Sequence, residues 1–405
     1  TWSGGTGTYS TNANDLNTEY TPSASEIAVG SVTLTLTSAD PSGPCGPVSD
    51  DVVITIEPAP TVEAGGPDVI CDSVSPAPIV LTGASIGGGA TTGTWSIVSG
   101  GGTLSSIAPE ALPATVTYTP QANWDGTVTL ELTSDATAGC LPVSDTRTIT
   151  IEPTLTVEAG DDIDACESAS PTAITLSGAS FGGGANSAAW YIASGLGTLS
   201  NTNQTANTEA VTNTPAPAFR GDIVLTLTTD VPGACPAATD TRTITVHPAP
   251  TGDAGGPAGV CESSSPNPIS LSGATIGGGA TQATWSITSG SGTLSNNLPT
   301  ASPETVTFTP DADFHGNVTL TLTTEAYGAC PVVSDTRDIT IYEAVTVDPG
   351  SYAAICSNET IALNGTISGG VTTGTWTGGG GTYSTSNTDL NAAYTPSGAE
   401  IAAGS

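Results

Sequence analysis

Between residues 59 and 153 the chain is built from short runs in which apolar and polar positions alternate: DVIC, PIVLTGAS, TGTWSIVSG, ATVTYTP, GTVTLELTSD and TRTITIEP. Gly, Pro, Asn or Asp bounds each run. In TVTLELT the alternation puts Val128, Leu130 and Leu132 on one face with Thr and Glu on the other, and TITI does the same with Ile149 and Ile151. No run shows helical spacing. About seven half-buried antiparallel strands in about 95 residues predict an all-β module, a Greek-key β-sandwich of immunoglobulin-like (Ig-like) type.

The cysteines measure how that module repeats. They stand at Cys45, Cys71, Cys140, Cys166, Cys235, Cys261, Cys330 and Cys356, with gaps alternating between 26 and 69, so the period is 95. At that offset GTWSIVSGGGTLS aligns with AAWYIASGLGTLS and ATWSITSGSGTLS, and SDTRTITIEP aligns with TDTRTITVHP and SDTRDITIYE. Residues 1–31 and 375–405 also match each other, identical at 21 of 31 positions, at an offset of 374 that corresponds to three periods of 95 and one of 89. The sequence therefore predicts whole modules at 59–153, 154–248 and 249–343. A variant type of about 89 residues is represented by its C-terminal part at 1–58 and its N-terminal part at 344–405. With no Met, and with a first residue that already falls within a strand-and-turn pattern, the chain reads as a stretch of a longer protein. It covers about one turn of a four-module super-repeat.

Trp95, Trp190 and Trp285 each occupy the middle of the third strand, and Trp2 and Trp376 take that place in the variant modules. A tryptophan there is expected in the sandwich core; the rival reading, a stacking platform for ligand, suits a residue repeated at a strand centre less well. A second aromatic recurs at Tyr118 and Phe308 but is Asn213 in the middle module, which predicts a partly buried position.

If the first strand starts at the pole where the last hairpin turns, Cys71 lies near Cys140. The expected disulfides are then Cys71–Cys140, Cys166–Cys235 and Cys261–Cys330, with Cys45 and Cys356 bonded outside the sequence. Pairing across the 26-residue gap would have to span a final strand of ~26 Å, whereas a disulfide needs Cα atoms within about 7 Å. Such bonds imply an oxidising, extracellular setting. Zinc is the weaker alternative, since CxxC pairs and paired histidines are lacking.

Composition narrows the function. Lys is absent, the only Lys or Arg residues are Arg147, Arg220, Arg242 and Arg337, and the formal net charge is −34. Nucleic acid and anionic membrane surfaces, which require basic patches, are excluded as partners. No apolar run approaches the ~18 residues of a membrane helix, so no membrane insertion is expected in this segment. His247 and His315 occupy different module positions, so neither a catalytic triad nor a histidine metal cluster repeats, and no enzymatic activity is expected.

Several motifs have an ordinary structural reading beside a functional one. The IGGGA loops at Gly87–Gly89 and Gly277–Gly279, and their FGGGA equivalent at Gly182–Gly184, lack the Lys and the helix of a phosphate loop, and read as strand connections at the pole facing the preceding module. Arg220-Gly221-Asp222 resembles an integrin-recognition tripeptide, but it aligns with plain turns elsewhere. Arg147, Arg242 and Arg337, repeated in DTR, are expected to form structural ion pairs. Glu158, Asp161, Asp162 and Asp164 cluster at one junction and are the candidate calcium ligands; no other cofactor is expected.

YTPSASEIAVGSVTLTLTSADPSGPCGPVSDDVVITI resembles the tandem Ig-like repeats of giant surface proteins in the Bacteroidota, including gliding-motility adhesins and type IX secretion substrates. The three 95-residue copies depart from it by replacing IAVGS. The resemblance implies secretion to the cell surface and service as an adhesin stalk or appendage filament, reaching other surfaces or cells through regions outside this sequence. Short Pro-bearing junctions such as EPAPTVEAGGPDV limit hinging, and four modules of ~35–40 Å would reach on the order of 150 Å. Identical chains packed into a filament or bundle are the expected partners. A carbohydrate- or protein-binding array is the alternative, and it would show exposed aromatics repeated at one loop pole.

Overall fold

A computed structural model describes residues 1–404 apart from Ala138. Residues 61–152 show how one repeat folds. Their strands are β1 (Thr61–Glu63), β2 (Asp68–Cys71), β3 (Ile79–Val80), β4 (Ser85–Gly87), β5 (Gly93–Ser99), β6 (Thr103–Leu104), β7 (Thr117–Thr119), β8 (Gly126–Ser134) and β9 (Ser144–Glu152). One sheet has the order β5-β8-β9-β2, a second has β6-β7-β3, and β1 pairs with β4. Neighbours run antiparallel except β2, which lies parallel to β9. Equivalent sheets recur over residues 156–247 and 251–342. The chain is thus a tandem array of Ig-like β-sandwiches.

The alternation seen in the sequence sets the packing. Register pairs Trp95 with Leu132, Ile97 with Leu130 and Val128 with Ile149, and these inward positions meet Leu81, Val116 and Tyr118 from the opposite sheet. Trp95, Trp190 and Trp285 are each 1% exposed. Their indole Nε1–H groups donate to the carbonyls of Pro113, Thr208 and Pro303 at 3.0, 3.1 and 3.0 Å. Those acceptors open one-turn 3-10 helices, Pro113–Thr115 and its equivalents Thr208–Ala210 and Pro303–Thr305, so the turn satisfies the one polar group each ring buries.

The structure corrects three expectations. Tyr118, Phe308 and Asn213 are all 0% exposed, so the position is fully buried, and among the described residues neither amide atom of Asn213 has a partner. Trp2 and Trp376 are only half-buried, and among the described residues their indole nitrogens have no acceptor. Each sits in half a sandwich: strand Ser49–Thr55 is exposed at every position, and residues 353–356 form no strand. Finally, two short helices, α1 (Ala24–Val29) and α2 (Gly398–Ala403), stand where only β structure was expected. Both carry capping boxes, Ser23 with Glu26 and Ser397 with Glu400, and end on a left-handed glycine, Gly30 or Gly404. The S-x-x-E…G signature was present in SASEIAVG.

Candidate functional site: the stapled junctions

Because β2 runs parallel to β9, Cys71 at its end lies opposite Glu152, the last residue of β9. The β8–β9 hairpin, which holds Cys140, is at the other end of that nine-residue strand. The expected Cys71–Cys140 bond is therefore impossible, since ~26 Å of strand separates the two poles. Even the start of β2, Asp68, lies opposite Ile149, nearer the far end of β9 than the hairpin. Disulfides instead join successive modules, Cys71 to Cys235 and Cys166 to Cys330, each with Cα atoms 4.8 Å apart and a sequence separation of 164. The expected Cys166–Cys235 and Cys261–Cys330 bonds are overturned with it. Cys45, Cys140, Cys261 and Cys356 are free.

The junctions around these bonds are close-packed. Cys235 Sγ lies 3.6 Å from the carbonyl of Glu152 and 3.2 Å from that of Pro153, and Cys330 Sγ lies 3.6 Å from the carbonyls of both His247 and Pro248. Glu152 accepts the Ala234 N–H at 2.6 Å, binding one module's last strand to the next module's hairpin. At the second junction His247 takes the place of Glu152. Its ring meets Asp164 at 2.7 Å and stands edge-on to Tyr327 of the following module, with centroids 5.4 Å apart.

The glycine loops face these linkers. Gly88, Gly183 and Gly278 have φ of 64°, 69° and 63°, and a Cβ on any of them would strike the carbonyl of Ala59, Thr154 or Ala249 in the linker before it. Glycine here permits both the left-handed backbone and the docking of loop on linker.

The repeated arginines have a different role from the one expected. Arg147 donates to Asp68 through Nη2 at 2.6 Å and Nε at 3.1 Å, but among the described residues no carboxylate forms a salt bridge with Arg242 or Arg337, because the position of Asp68 is Ile163 and Ala258 in their modules. What recurs is carbonyl capping: the Nη1 groups donate to Thr82, Ser177 and Ser272 at 2.7, 2.8 and 3.1 Å. Burial pushes the Arg242 guanidinium below its ordinary pKa, against the pull of Asp161 and Asp162. The aspartates of the DTR motif, Asp145, Asp240 and Asp335, accept the backbone N–H of Ala64, Ala159 and Ala254. They pin the start of each module to its last strand.

The candidate calcium ligands are dispersed. Glu158 accepts from Gly160 N–H, Asp162 from Thr243 N–H and Asp164 bonds His247; among the described residues no group of three potential metal ligands is assembled. Arg220 of the RGD tripeptide is held at 2.8 Å by Glu167. The ion pair holds the Glu167 carboxyl below the usual range. Among the described residues no helix is long and apolar enough to cross a membrane.

No protein-family model matches the chain, and no curated protein matches it. Solved structures of tandem modules do align with it. Titin domains I67–I69, as an E-to-A variant, match at 12% identity and a TM-score of 0.41, covering 71% of this chain and 99% of that one. Drosophila N-cadherin EC1-4 matches at 10% and 0.31, covering 78% and 83%. Mouse cadherin-23 EC22-24 matches at 13% and 0.31, covering 71% and 100%. The strand order itself defines the Ig-like fold.

Proposed function

We propose that this chain is a tension-bearing segment of an extracellular stalk or filament belonging to a large surface adhesin. The observation that carries this reading is the disulfide register. Each bond skips from the far pole of one sandwich to the near pole of the next, so load passes through sulfur across a junction without passing through the intervening fold. A staple within each module would protect modules one by one; this arrangement protects their succession. Two thiols joined over 164 residues also remove more denatured-state freedom than a shorter loop, about 5 kcal/mol by the loop-entropy relation.

An oxidising, extracellular location follows from a function that depends on these bonds. The absence of Lys leaves trypsin-like proteases few cuts, and the resemblance to surface repeats of the Bacteroidota and their type IX secretion substrates favours the same setting. A ligand-binding array would repeat its exposed aromatics. Tyr191, Tyr327, Tyr342 and Tyr352 are exposed, but they stand at non-equivalent positions of the repeat.

Force spectroscopy tests the reading. With handles beside Cys71 and Cys330, the shortest covalent route in the oxidised chain runs from Cys71 to Cys235, back to Cys166 and across to Cys330. It contains 69 residues rather than 259. Complete unfolding should extend that interval to no more than ~240 Å when oxidised and to ~900 Å after reduction. Equal extension in both states would remove the load-bearing role.

A further inference from the structure

Arg220 differs from the other three arginines in exposure. Arg147, Arg242 and Arg337 are 3%, 4% and 7% exposed, whereas the side chain of Arg220 is 61% exposed. With no Lys in the chain, Arg220 is the single residue of the folded protein that a protease requiring a cation before the cut can engage. Glu167 accepts from its Nε at 2.8 Å, and among the described residues neither Nη group has an acceptor. The outer end of the guanidinium is therefore open to the acidic specificity pocket of such a protease.

The backbone at this point is accessible as well. Phe219 and Arg220 belong to no strand, and Gly221 and Asp222, which open strand Gly221–Thr229, are both exposed. No atom lies within 4 Å of the place a Cβ on Gly221 would take. Strand ends open locally at a lower free-energy cost than strand centres, and exposed turns are where proteases nick folded domains. The equivalents of Arg220 are Asp125 and His315, so neither flanking module offers such a cut at this turn. The Arg220–Gly221 bond also lies where the two disulfides overlap. Cys71 and Cys166 precede it, and their partners Cys235 and Cys330 follow it. Backbone bonds between residues 166 and 235 are spanned by both disulfides, and those at 71–166 and 235–330 by one of them.

We propose that Arg220–Gly221 is a cleavage site for an arginine-specific endopeptidase, and that the cut converts the chain into a two-chain form that stays covalently continuous. The reaction is hydrolysis. The C–N bond breaks, the oxygen of water goes to the acyl carbon of Arg220, and both its protons end on the Gly221 nitrogen, leaving a carboxylate on residues 1–220 and an ammonium group on residues 221–405. Both disulfides still join the two pieces. What changes is the covalent path: the shortest route from residue 71 to residue 330 can no longer use the 69 residues between Cys166 and Cys235, and follows 95 residues on either side instead. Cleavage lengthens the stapled array without severing it. The inference rests on the exposure of Arg220 and the disulfide register, not on the stalk reading.

The test is limited digestion of the full, oxidised chain by trypsin, with its free thiols alkylated beforehand to prevent exchange. A reducing, denaturing gel should show two fragments, residues 1–220 and 221–405; without reductant the same sample should run as one species the size of the uncut chain. Mass spectrometry should find the new N-terminus Gly221-Asp222-Ile223. An endopeptidase that accepts only arginine should cut the native chain at the same bond and spare Arg220→Lys, which keeps a charge beside Glu167 and stays open to trypsin. Replacing Cys71 and Cys235 by Ser, or Cys166 and Cys330, should leave the fragments joined, and replacing all four should release them. Three results in the unsubstituted chain would overturn the proposal: first cleavage after Arg147, Arg242 or Arg337; survival of the folded chain where the reduced, unfolded chain is cut at all four arginines; or separation of the fragments without reductant.

Discussion

Asn213 shows how one residue can interrupt a repeat. Its equivalents Tyr118 and Phe308 fill the centre of the smaller sheet, each ring against a glycine, Gly102 or Gly292, and Gly197 keeps that slot open in the middle module. An amide in an aromatic's place gives up the ring's apolar contacts and, among the described residues, leaves two unpartnered polar atoms; an unsatisfied buried group costs about 1–3 kcal/mol. Asn213→Phe should stabilise residues 154–248 by about 2 kcal/mol, read as a rise in the urea midpoint of that module. No change, or a loss, would show that the slot has closed around the amide.

The helix caps respond to acid. Burial pushes the Glu26 carboxyl up, but the N–H groups of Ser23 and Thr6 and the Tyr20 hydroxyl hold it down to about 2. Glu400, bonded by Tyr394 and by the Ser397 and Gly380 N–H groups, is likewise held to about 2. A carboxylate with a lowered folded pKa contributes its stabilisation above its unfolded value near 4.3 and loses it as pH falls towards about 2. The Glu26 and Glu400 carboxyl resonances should titrate near pH 2, with α1 and α2 fraying there; titration near pH 4 would mean that the boxes do not form.

At the scale of elements, the decisive contact is between the glycine loops and the linkers. Gly183 has φ of 69°, and a Cβ would meet the fixed Thr154 carbonyl rather than a movable side chain. Gly183→Ala should cost about 1–3 kcal/mol and loosen the junction at residues 153–155, seen as faster amide exchange there while the strands on either side keep their protection. Uniform loss of protection would place the effect in the sandwich itself. The sequence placed these loops at the pole facing the preceding module. It could not show which carbonyl each would face, because that depends on the angle at which two sandwiches meet.

At the scale of the whole molecule, the two skip bonds overlap between residues 166 and 235, and their removal should be non-additive. Without the Cys71–Cys235 bond (Cys71→Ser with Cys235→Ser), the shortest covalent route from residue 71 to 330 contains 95 residues instead of 69. Without the Cys166–Cys330 bond it is again 95, and without both it is 259. Fully extended lengths of roughly 330, 330 and 900 Å should follow. A single substitution that already releases the full length would mean that the remaining bond carries no load.

Periodicity alone determined the repeat, the strand faces and the burial of Trp95, Trp190 and Trp285 but not of Trp2 and Trp376, because a two-residue alternation and a 95-residue period are properties of the chain that no packing alters. Which cysteines meet was decided only by tertiary structure. A strand can lie parallel or antiparallel to its distant neighbour with the same alternation, and that choice placed Cys71 at the far pole of its sandwich, beside the next module's Cys235. The arginines follow the same logic. Their recurrence was legible, but their partners lie on other strands and differ between modules, so one ion pair and three carbonyl caps became visible only once the sheets were folded together.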